Sequence, residues 1–392
     1  MGPYCAGFAG ELAAAGYTRQ SVCRHLRLMA DASRWLGAAG DRALTSAGVQ
    51  AFLARRRRGG RRRQVTAKML EPLVEYLRRA GATPVAGNAP LLSETDAVLQ
   101  RYCVWLVATR GVSASCVRNR ECVIRPFLVA RAARDGGHLA LDRLTACEVQ
   151  VFLLAEAGRR RGKGAQCVVS ALRSFLRFLH VEAIIGRPLA QAVPPVAGWA
   201  LAGLPSALDG EQVRALLGTC NAETVAGRRD LAVLSLLARL GLRGGEIAGL
   251  LLDDIDWRAG EITICGKGSR RDRLPLPADV GAAVAAYLAG GRPDSAQVRA
   301  VFIRLKAPHR GLTTAGVSNI VRRACRRAGL DDVGAHCLRH SAATAMLAAG
   351  APLIEVGQVL RHARPLTTAI YAKVDVESLR GLARPWPQED DQ

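Results

Sequence analysis

Lysine, tyrosine and long apolar runs are scarce in this chain of 392 residues. Five of the 55 basic residues are lysine and six residues are tyrosine, so each of these stands out where it occurs. An uninterrupted apolar run of about 18 residues, which a membrane-spanning helix requires, is absent. Glu11 stands where a signal peptide would have its apolar centre, and no basic residue precedes it. We therefore expect a cytoplasmic protein that does not contact a membrane.

The eleven cysteines include no C-x-x-C pair and are scattered along the chain. Zinc sites and redox-active pairs usually show such close spacing. Cysteines without it behave as small apolar residues in a reducing compartment. We expect the cysteines to be reduced and buried, and we expect no zinc site.

Acidic residues are few compared with basic ones. The net charge is +22 and the isoelectric point is near 10.6, which favours a polyanionic partner such as DNA or RNA. A GC-rich genome would explain why the basic residues are mostly arginine, but not why they outnumber 33 acidic residues. Residues 1–205 hold 30 basic and 13 acidic residues, so we predict that this half holds the phosphates.

An internal repeat occupies the first half of the chain. The segment LTSAGVQAFL at 44–53 matches LTACEVQVFL at 144–153, at an offset of 100 residues. A basic segment that we predict to be a turn follows each copy, at 54–64 and at 158–166, and each leads into apolar residues at helical spacing. The repeat predicts a tandem pair of helical domains.

Prolines and glycines interrupt the helical pattern at 190–205 and indicate a linker. We therefore predict an N-terminal helical domain at 1–88, a second helical domain at 89–189 and a third domain at 206–392. The expected fold class is mainly α, with two tandem helical DNA-binding domains followed by a mixed α+β catalytic domain that has a small antiparallel sheet.

The two basic segments have two interpretations. They are either solvated loops or clamps on the phosphates of a DNA backbone. Their recurrence at the same place in both copies favours the clamp. The candidate DNA-binding residues are Arg55, Arg56, Arg57, Arg58, Arg61, Arg62, Arg63, Arg159, Arg160, Arg161 and Lys163.

The second half mixes helices with a few strands. Asp209 is placed to cap a helix, and the apolar helix at 228–240 ends at Gly241. Alternating residues at 261–265 and 272–277 flank a glycine-containing turn and predict a β-hairpin. Further helices are predicted at 279–289, 314–329, 337–349 and 352–361.

Arg243 and Lys267 both lie among glycines. Arg243 is held between two predicted helices, where it could face an anion or merely pair with Glu246 in a loop. Lys267 occupies the hairpin turn, where it could reach a phosphate or a leaving oxygen, or merely face solvent.

His336, Arg339 and His340 share one face of a predicted helix. The two histidines have the H-x-x-x-H spacing of zinc proteases, but the acidic residue that those enzymes need is absent. A histidine and arginine pair that faces an anion fits these residues better.

His362 and Tyr371 are nine residues apart near the C-terminus. A tyrosine on an apolar face usually belongs to a core. Its hydroxyl is a poor nucleophile unless nearby cations stabilise the anion, and arginines can do so.

Together these residues follow the pattern R…K…H-x-x-R…H-x8-Y, which resembles the tyrosine recombinases of the phage integrase type. The matching segments are GLRGGEI, GKGSRRDRLPLP, HCLRHS and LRHARPLTTAIY, and the resemblance covers 206–375. The preceding domain is similar to the family's core-binding domain. The upstream copy is less usual and is expected to be an extra DNA-binding module.

The resemblance implies a role for each of these residues. Tyr371 would attack a scissile phosphate and form a 3′-phosphotyrosyl enzyme with a free 5′-hydroxyl. Arg243 and Arg339 would clamp the phosphate oxygens, and Lys267 would protonate the departing oxygen. His336 would assist proton removal from Tyr371, and His362 would hydrogen-bond the phosphate. The resemblance also implies that Glu246 orients Arg243 and that no metal, nucleotide or other cofactor is needed.

One position departs from the family pattern. Arg361 stands where the family commonly has a glycine, which would permit a left-handed helix end. We expect an arginine to disfavour that conformation, and the placement of His362 depends on it.

The resemblance also implies partners. We expect double-stranded DNA with inverted recombination sites as the substrate, and assembly of a dimer or tetramer on that DNA through the C-terminal tail. We also expect companion recombinases of a bacterial mobile element, and a location at the nucleoid. Two other functions stay open: DNA relaxation like that of a type IB topoisomerase, and a catalytically silent DNA-binding accessory factor.

Overall fold

The structure is a computed structural model that describes residues 1–39, 44–58, 66–83, 93–159, 163–195, 207–266, 270–293, 298–362 and 365–373. The chain forms two compact units. One unit is Ala86–Ala202, and the other joins Met1–Val85 with Gly203–Gln392. The predicted linker lies outside the described residues from 196 onward. Within the described ranges, no helix is both long enough and apolar enough to cross a membrane.

Four helices open the chain and share one apolar core, in which Phe8, Met29 and Leu70 are buried. They are α1 (Cys5–Ala14), α2 (Arg19–Ala39), α3 (Ser46–Arg58) and α4 (Ala67–Arg79). The backbone N–H of His309 donates to the carbonyl oxygen of Ala15 at 3.0 Å. This group of helices therefore contacts the C-terminal part of its own unit.

The described residues of the second unit, Ala86–Ala202, form four α-helices. They are α5 (Glu94–Arg110), α6 (Ala114–Arg134), α7 (Ala146–Arg159) and α8 (Lys163–Val181). The Ser93 hydroxyl caps α5 by accepting from the backbone N–H of Asp96 at 3.2 Å. The core centres on aromatic rings, with Tyr102 edge-on to Phe175 at 5.1 Å between centroids.

The sequence repeat coincides with a repeated structural element. Helices α3 and α7 begin 100 residues apart and bury equivalent leucines, Leu53 in one and Leu153 in the other. The prediction that both basic segments are turns is wrong for part of their length, because 55–58 form the last turn of α3 and Arg159 ends α7. Arginine is a good helix former, so a run of it extends a helix as readily as it forms a loop.

The C-terminal part of the first unit is a helical layer around one long buried helix. Its helices are α9 (Gly210–Gly218), α10 (Val225–Leu240), α11 (Gly244–Gly249), α12 (Ala278–Gly290), α13 (Thr314–Arg327), α14 (Ala335–Ala348), α15 (Leu353–Val359) and α16 (Pro365–Thr368), and a 3₁₀ turn (Ala369–Lys373) follows. Asp209 caps α9 as predicted, since its carboxylate accepts from the backbone N–H of Gln212 at 2.8 Å.

Helix α10 is the centre of this layer. Val233, Leu236 and Leu237 are completely buried in it. The helix ends at Gly241, whose φ of +57° is the left-handed conformation that terminates helices and that glycine adopts without strain. This abrupt end sends the chain into Arg243 at the start of α11.

Three short antiparallel strands complete the unit in the order β1 (Ile255–Asp256), β2 (Glu261–Cys265), β3 (Arg271–Pro275). The β2–β3 register runs from Glu261 opposite Pro275 to Cys265 opposite Arg271. Alternation buries Ile262 and Ile264 against the helices. The predicted hairpin and the mainly α fold class with a small antiparallel sheet are confirmed.

Most of the cysteines are not buried, contrary to the expectation from the sequence. All eleven are free thiols, but only Cys325 and Cys337 are buried. Six of them are exposed, so the prediction of burial is wrong for these: Cys5, Cys23, Cys122, Cys147, Cys167 and Cys265. Scattered spacing excludes a paired site but does not report which side of a helix a residue occupies.

Candidate active site

Arg243 is fixed by the helix that it precedes. It occupies the N-cap position of α11, and Glu246 in the first turn accepts from its backbone N–H at 2.8 Å and from its Nη1 at 2.7 Å. The Glu246 side chain is only 4% exposed, whereas that of Arg243 is 40% exposed. The guanidinium is therefore oriented by a buried carboxylate and still open to solvent.

A cleft of about 500 Å³ lies beside this arginine. Its walls include Arg243, Cys265, Thr314, Ser318 and His336. Lys267 lies outside the described residues, but Cys265 and Gly266, the residues immediately before it, line this cleft. The end of the hairpin and the arginine thus face one space.

Arg361 also binds Glu246. Its Nη2 lies 2.7 Å from the Glu246 Oε2, and both side chains are almost fully buried. The φ of Arg361 is +54°, so the expectation that arginine would disfavour the left-handed conformation here is wrong. That conformation costs about 1–2 kcal/mol for a residue with a side chain, and it is the conformation in which Arg361 forms its buried ion pair with Glu246. His362 consequently follows a left-handed residue.

Arg339, on α14, is almost fully buried, with 1% of its surface exposed. Its Nη1 donates to the carbonyl oxygen of Gly241 at 2.5 Å, and its Nη2 donates to that of Leu360. The guanidinium is therefore tied to the ends of α10 and α15. Burial, and after it the neighbouring charge of Arg243, lowers the pKa of Arg339 to about 10, so the group stays charged at neutral pH.

His336 and His340 are one helical turn apart on α14, and their rings meet edge to face at 4.4 Å. His336 is exposed and lines the cleft, whereas His340 is half-buried. The Nδ1 of His340 lies 2.8 Å from the hydroxyl oxygen of Tyr371. The sequence placed His340 on the same face as His336 and Arg339, but we did not predict it as a site residue.

His362 is half-buried beside the same tyrosine. Its Nδ1 lies 2.8 Å from the Thr368 hydroxyl, and its ring is parallel to that of Tyr371 at 6.3 Å between centroids. Burial, followed by the charges of Arg339 and Arg243, lowers the pKa of His362 to about 4. This histidine is therefore neutral at physiological pH. Thr368 is a further residue that the sequence did not identify.

Tyr371 lies in the 3₁₀ turn and is 1% exposed. Its ring packs in a small core with Ala343, Val356 and Leu360, while its hydroxyl points to His340. Burial raises the pKa of Tyr371, although Arg339 and Arg243 act in the opposite direction. The core position and the polar site are therefore not alternatives, because the ring belongs to the core and the hydroxyl to the site.

The predicted DNA-binding residues are only partly described. Arg56 pairs with Asp31 at 2.7 Å, and Arg159 lies 3.3 Å from Glu156 with most of its side chain exposed. Arg55 is exposed, and Lys163 begins α8. Arg61, Arg62, Arg63, Arg160 and Arg161 lie outside the described residues, as do the side chains of Arg57 and Arg58. Arg56 is therefore engaged in an internal ion pair, and the phosphate clamp stays a prediction.

The described ranges contain no group of three or more histidine, cysteine or acidic residues that could hold a metal ion. Arginine and histidine side chains lie around Tyr371 instead. They come from three separate segments: the start of α11, helix α14, and the turns after α15.

This chain is similar in sequence to several known proteins. Residues 206–378 match the model of the phage integrase family. The chain is 42% identical over 326 residues to the Sinorhizobium fredii protein y4rA, an integrase/recombinase by name, which covers 82% of this chain and 78% of that one. It is 31% identical over 284 residues to the tyrosine recombinase XerD of Listeria monocytogenes, covering 71% of this chain and 94% of XerD.

The fold also matches a solved structure. The site-specific recombinase XerH, bound to a palindromic difH substrate as a post-cleavage complex, aligns with 75% of this chain and 97% of its own length. The TM-score is 0.55 and the identity is 20%, which shows a shared fold.

Proposed function

The chain belongs to the phage integrase family of tyrosine recombinases, and from this premise we propose how its residues cut and rejoin DNA. It is a DNA breaking-rejoining enzyme that carries out site-specific recombination. Tyr371 attacks the scissile phosphate, which gives a 3′-phosphotyrosyl enzyme and a free 5′-hydroxyl. The observation that carries this assignment is that Tyr371 is influenced by the charges of Arg243 and Arg339 and faces the ring of His362, although the three residues come from separate segments.

The two arginines stabilise the charge of the pentacoordinate phosphate. Arg243 has an exposed guanidinium on the cleft and approaches one non-bridging oxygen from solvent. Arg339 holds its charge in a buried, low-dielectric place, where an electrostatic interaction is stronger than in water. Glu246 is the supporting residue, because it orients Arg243 and is itself held by Arg361.

Lys267 protonates the departing 5′-oxygen in this proposal. The support is indirect: the strand that leads to this lysine ends at the cleft that Arg243 and His336 line. His336 faces the same cleft and contacts the phosphate there or assists proton removal from Tyr371. The neutral His362 donates a hydrogen bond to the phosphate through Nε2 when its Nδ1 accepts from Thr368.

The covalent link conserves the energy of the phosphodiester bond, so we propose that rejoining needs neither a metal nor a nucleotide. The 5′-hydroxyl of the partner strand attacks the phosphotyrosine, and each proton transfer runs in reverse. The residues that clamp the phosphate during cleavage therefore clamp it again during joining.

DNA binding is assigned to both four-helix groups, with residues 1–88 as an extra module and 89–189 as the core-binding domain. The net charge of +22 supports this assignment. We further propose assembly as a dimer or tetramer on inverted sites through the C-terminal tail, which lies outside the described residues from 374 onward, and cooperation with companion recombinases. The λ integrase dimer bound to a core site, which has the same fold, supports assembly on DNA by analogy.

The assignment of the nucleophile can be tested without knowledge of the target sequence. The full chain is incubated with a pool of nicked duplexes whose centres are randomised, and covalent adducts are isolated on denaturing gels and sequenced. We expect the wild-type chain to enrich particular duplexes. Tyr371→Phe should bind the same duplexes and form no adduct.

Two results would contradict the proposal. Adducts formed by Tyr371→Phe would mean that another residue is the nucleophile. Relaxation of supercoiled plasmids that lack any enriched sequence would point to a topoisomerase-like enzyme rather than a site-specific one.

A further inference from the structure

The Tyr371 hydroxyl is hydrogen-bonded to a histidine to which the family pattern assigned no role. The Nδ1 of His340 and the hydroxyl oxygen are 2.8 Å apart, a distance at which a proton can be transferred directly. His336, which the pattern assigned to this task, is exposed on the cleft one helical turn earlier. The two rings touch, and His340 is the one that lies deeper and is bonded to the tyrosine hydroxyl.

We propose that His340 is the base that removes the proton of Tyr371, and that His336 serves the phosphate in the cleft. This inference rests on the proposed function, since it concerns the same nucleophile. His340 contacts a reacting atom directly, so the proposal makes it a catalytic residue.

The environment of the tyrosine explains why a base is needed. Burial raises the pKa of Tyr371, so a spontaneous phenolate is rare at neutral pH. An imidazole ordinarily titrates near neutral pH and is suited to accept that proton. The ring of His340 is half-buried on α14 and makes an edge-to-face contact with the ring of His336.

The proton and electron balance of the step is simple. The hydroxyl proton of Tyr371 moves to Nδ1 of His340 as the phenolic oxygen forms its bond to phosphorus. The bond from phosphorus to the 5′-oxygen breaks, and that oxygen takes a proton from Lys267. In the reverse step the 5′-hydroxyl returns its proton to Lys267, the bond to tyrosine breaks, and His340 returns its proton to the phenolate.

Charged and titratable groups from several elements lie near His340. Helix α14 contributes His336 and Arg339, the C-terminal turns contribute His362 and Tyr371, and the ends of α11 and α15 contribute the charged cluster of Arg243, Glu246 and Arg361. The incoming phosphate adds negative charge on the cleft side. That negative charge stabilises the imidazolium that forms when His340 accepts the tyrosine proton.

The substitution His340→Asn distinguishes a role as a base from a role as a hydrogen-bond partner. The side-chain oxygen in His340→Asn can occupy the place of Nδ1 and accept from the tyrosine, but it cannot take the proton. His340→Ala loses both properties, and His336→Asn is the matched control on the same helix face. Each full-length variant is compared on a duplex enriched by the wild-type chain, with single-turnover adduct formation and DNA affinity measured separately.

We expect His340→Asn and His340→Ala to slow adduct formation equally, by about 100-fold, with DNA affinity unchanged. The wild-type rate should fall as the pH is lowered and the base becomes protonated. His336→Asn should keep that fall, and His340→Asn should lose it. A tyrosine made more acidic, by placing 3,5-difluorotyrosine at position 371, should recover most of the rate in His340→Asn.

The opposite results are equally clear. A His340→Asn rate near that of the wild type would leave His340 as an orienting group and overturn the proposal. A faster rate would mean that the bond restrains the nucleophile, which also overturns it. Absence of adducts from the wild-type chain on every duplex would instead remove the proposed function itself. Thermal melting of each variant identifies a folding failure. For the variants that fold, rescue by difluorotyrosine decides whether His340 acts as the base.

Discussion

The candidate active site has a solvent-exposed half, called the wet half here, and a buried half, called the dry half. Arg243 and His336 line an open cleft, whereas Arg339 and Tyr371 are each only 1% exposed. The described site groups whose pKa departs clearly from its usual value, Arg339, His362 and Tyr371, belong to the dry half, and burial is the largest cause for each of them. In the proposed mechanism the open cleft of the wet half admits the phosphate, and the dry half supplies the buried charge of Arg339 and the nucleophile.

Replacing the buried arginine should give the largest effect. Arg339→Lys keeps a charge but cannot reach both helix-end carbonyls with one compact ammonium group. We expect adduct formation to slow by about 1,000-fold and the free energy of unfolding to fall by about 2–3 kcal/mol. Single-turnover kinetics and thermal melting measure the two losses, and a variant with normal melting would show that Arg339 does not support the dry half.

The matched change in the wet half should affect chemistry alone. In Arg243→Lys the partly exposed side chain loses its fork-shaped contact, and we expect adduct formation to slow by about 100-fold. The free energy of unfolding should change by less than about 1 kcal/mol, because lysine keeps a positive charge on the partly exposed side and Arg361 still pairs with Glu246. If this variant melts as early as Arg339→Lys, the division between the halves is wrong.

Arg361 lies where the two halves meet, and two substitutions separate its strain from its ion pair. Arg361→Ala keeps the left-handed strain and loses the contact with Glu246, so we expect a loss of about 2 kcal/mol in unfolding free energy. Arg361→Gly also relieves the strain, so its loss should be about 1 kcal/mol smaller. Denaturant titration of both variants measures this difference, and equal losses would argue against strain at this position.

The smallest expected effect is a pH dependence of the free energy of unfolding that arises from His362 in the dry half. Because folding lowers the pKa of His362 from 6.5 to about 4, the unfolded chain takes up the proton first as the pH falls. The stability contributed by neutral His362 is complete above about pH 6.5 and is lost toward pH 4.

We therefore expect the wild-type chain to lose unfolding free energy across this interval relative to His362→Asn. The loss should be of order 1 kcal/mol, since the side chain is only half-buried. Melting curves at several pH values measure the difference, and parallel losses in both proteins would exclude His362 as the cause.

Local patterns in the sequence predicted most of the fold. The alternation in β2 and β3 and the cap at Asp209 are encoded by neighbouring residues, and both predictions are confirmed. The two-residue strand β1 was not predicted, because Ile255 and Asp256 form a strand only by pairing with β2. From the sequence we also did not predict that the first part of the basic segment 54–64 is helical, because arginines occur in helices and in loops.

The candidate site divides in the same way. Spacing and resemblance identified Arg243, His336, Arg339, His362 and Tyr371, and the structure brings their segments together, although their roles stay predictions. The bonds from Tyr371 to His340 and from His362 to Thr368 join residues that no local pattern relates. From the sequence we expected Arg361 to disfavour a left-handed helix end, because its partner, Glu246, lies 115 residues away and no local pattern relates the two.

The bonds of Arg339 have one more consequence. Its guanidinium binds carbonyl oxygens at the C-terminal ends of α10 and α15, where each helix carries a partial negative charge. Each Nη atom carries a second N–H in addition to the one that binds a carbonyl oxygen. In the proposed mechanism the two helix ends therefore hold the guanidinium in one orientation before DNA arrives, and its remaining donors bind the phosphate.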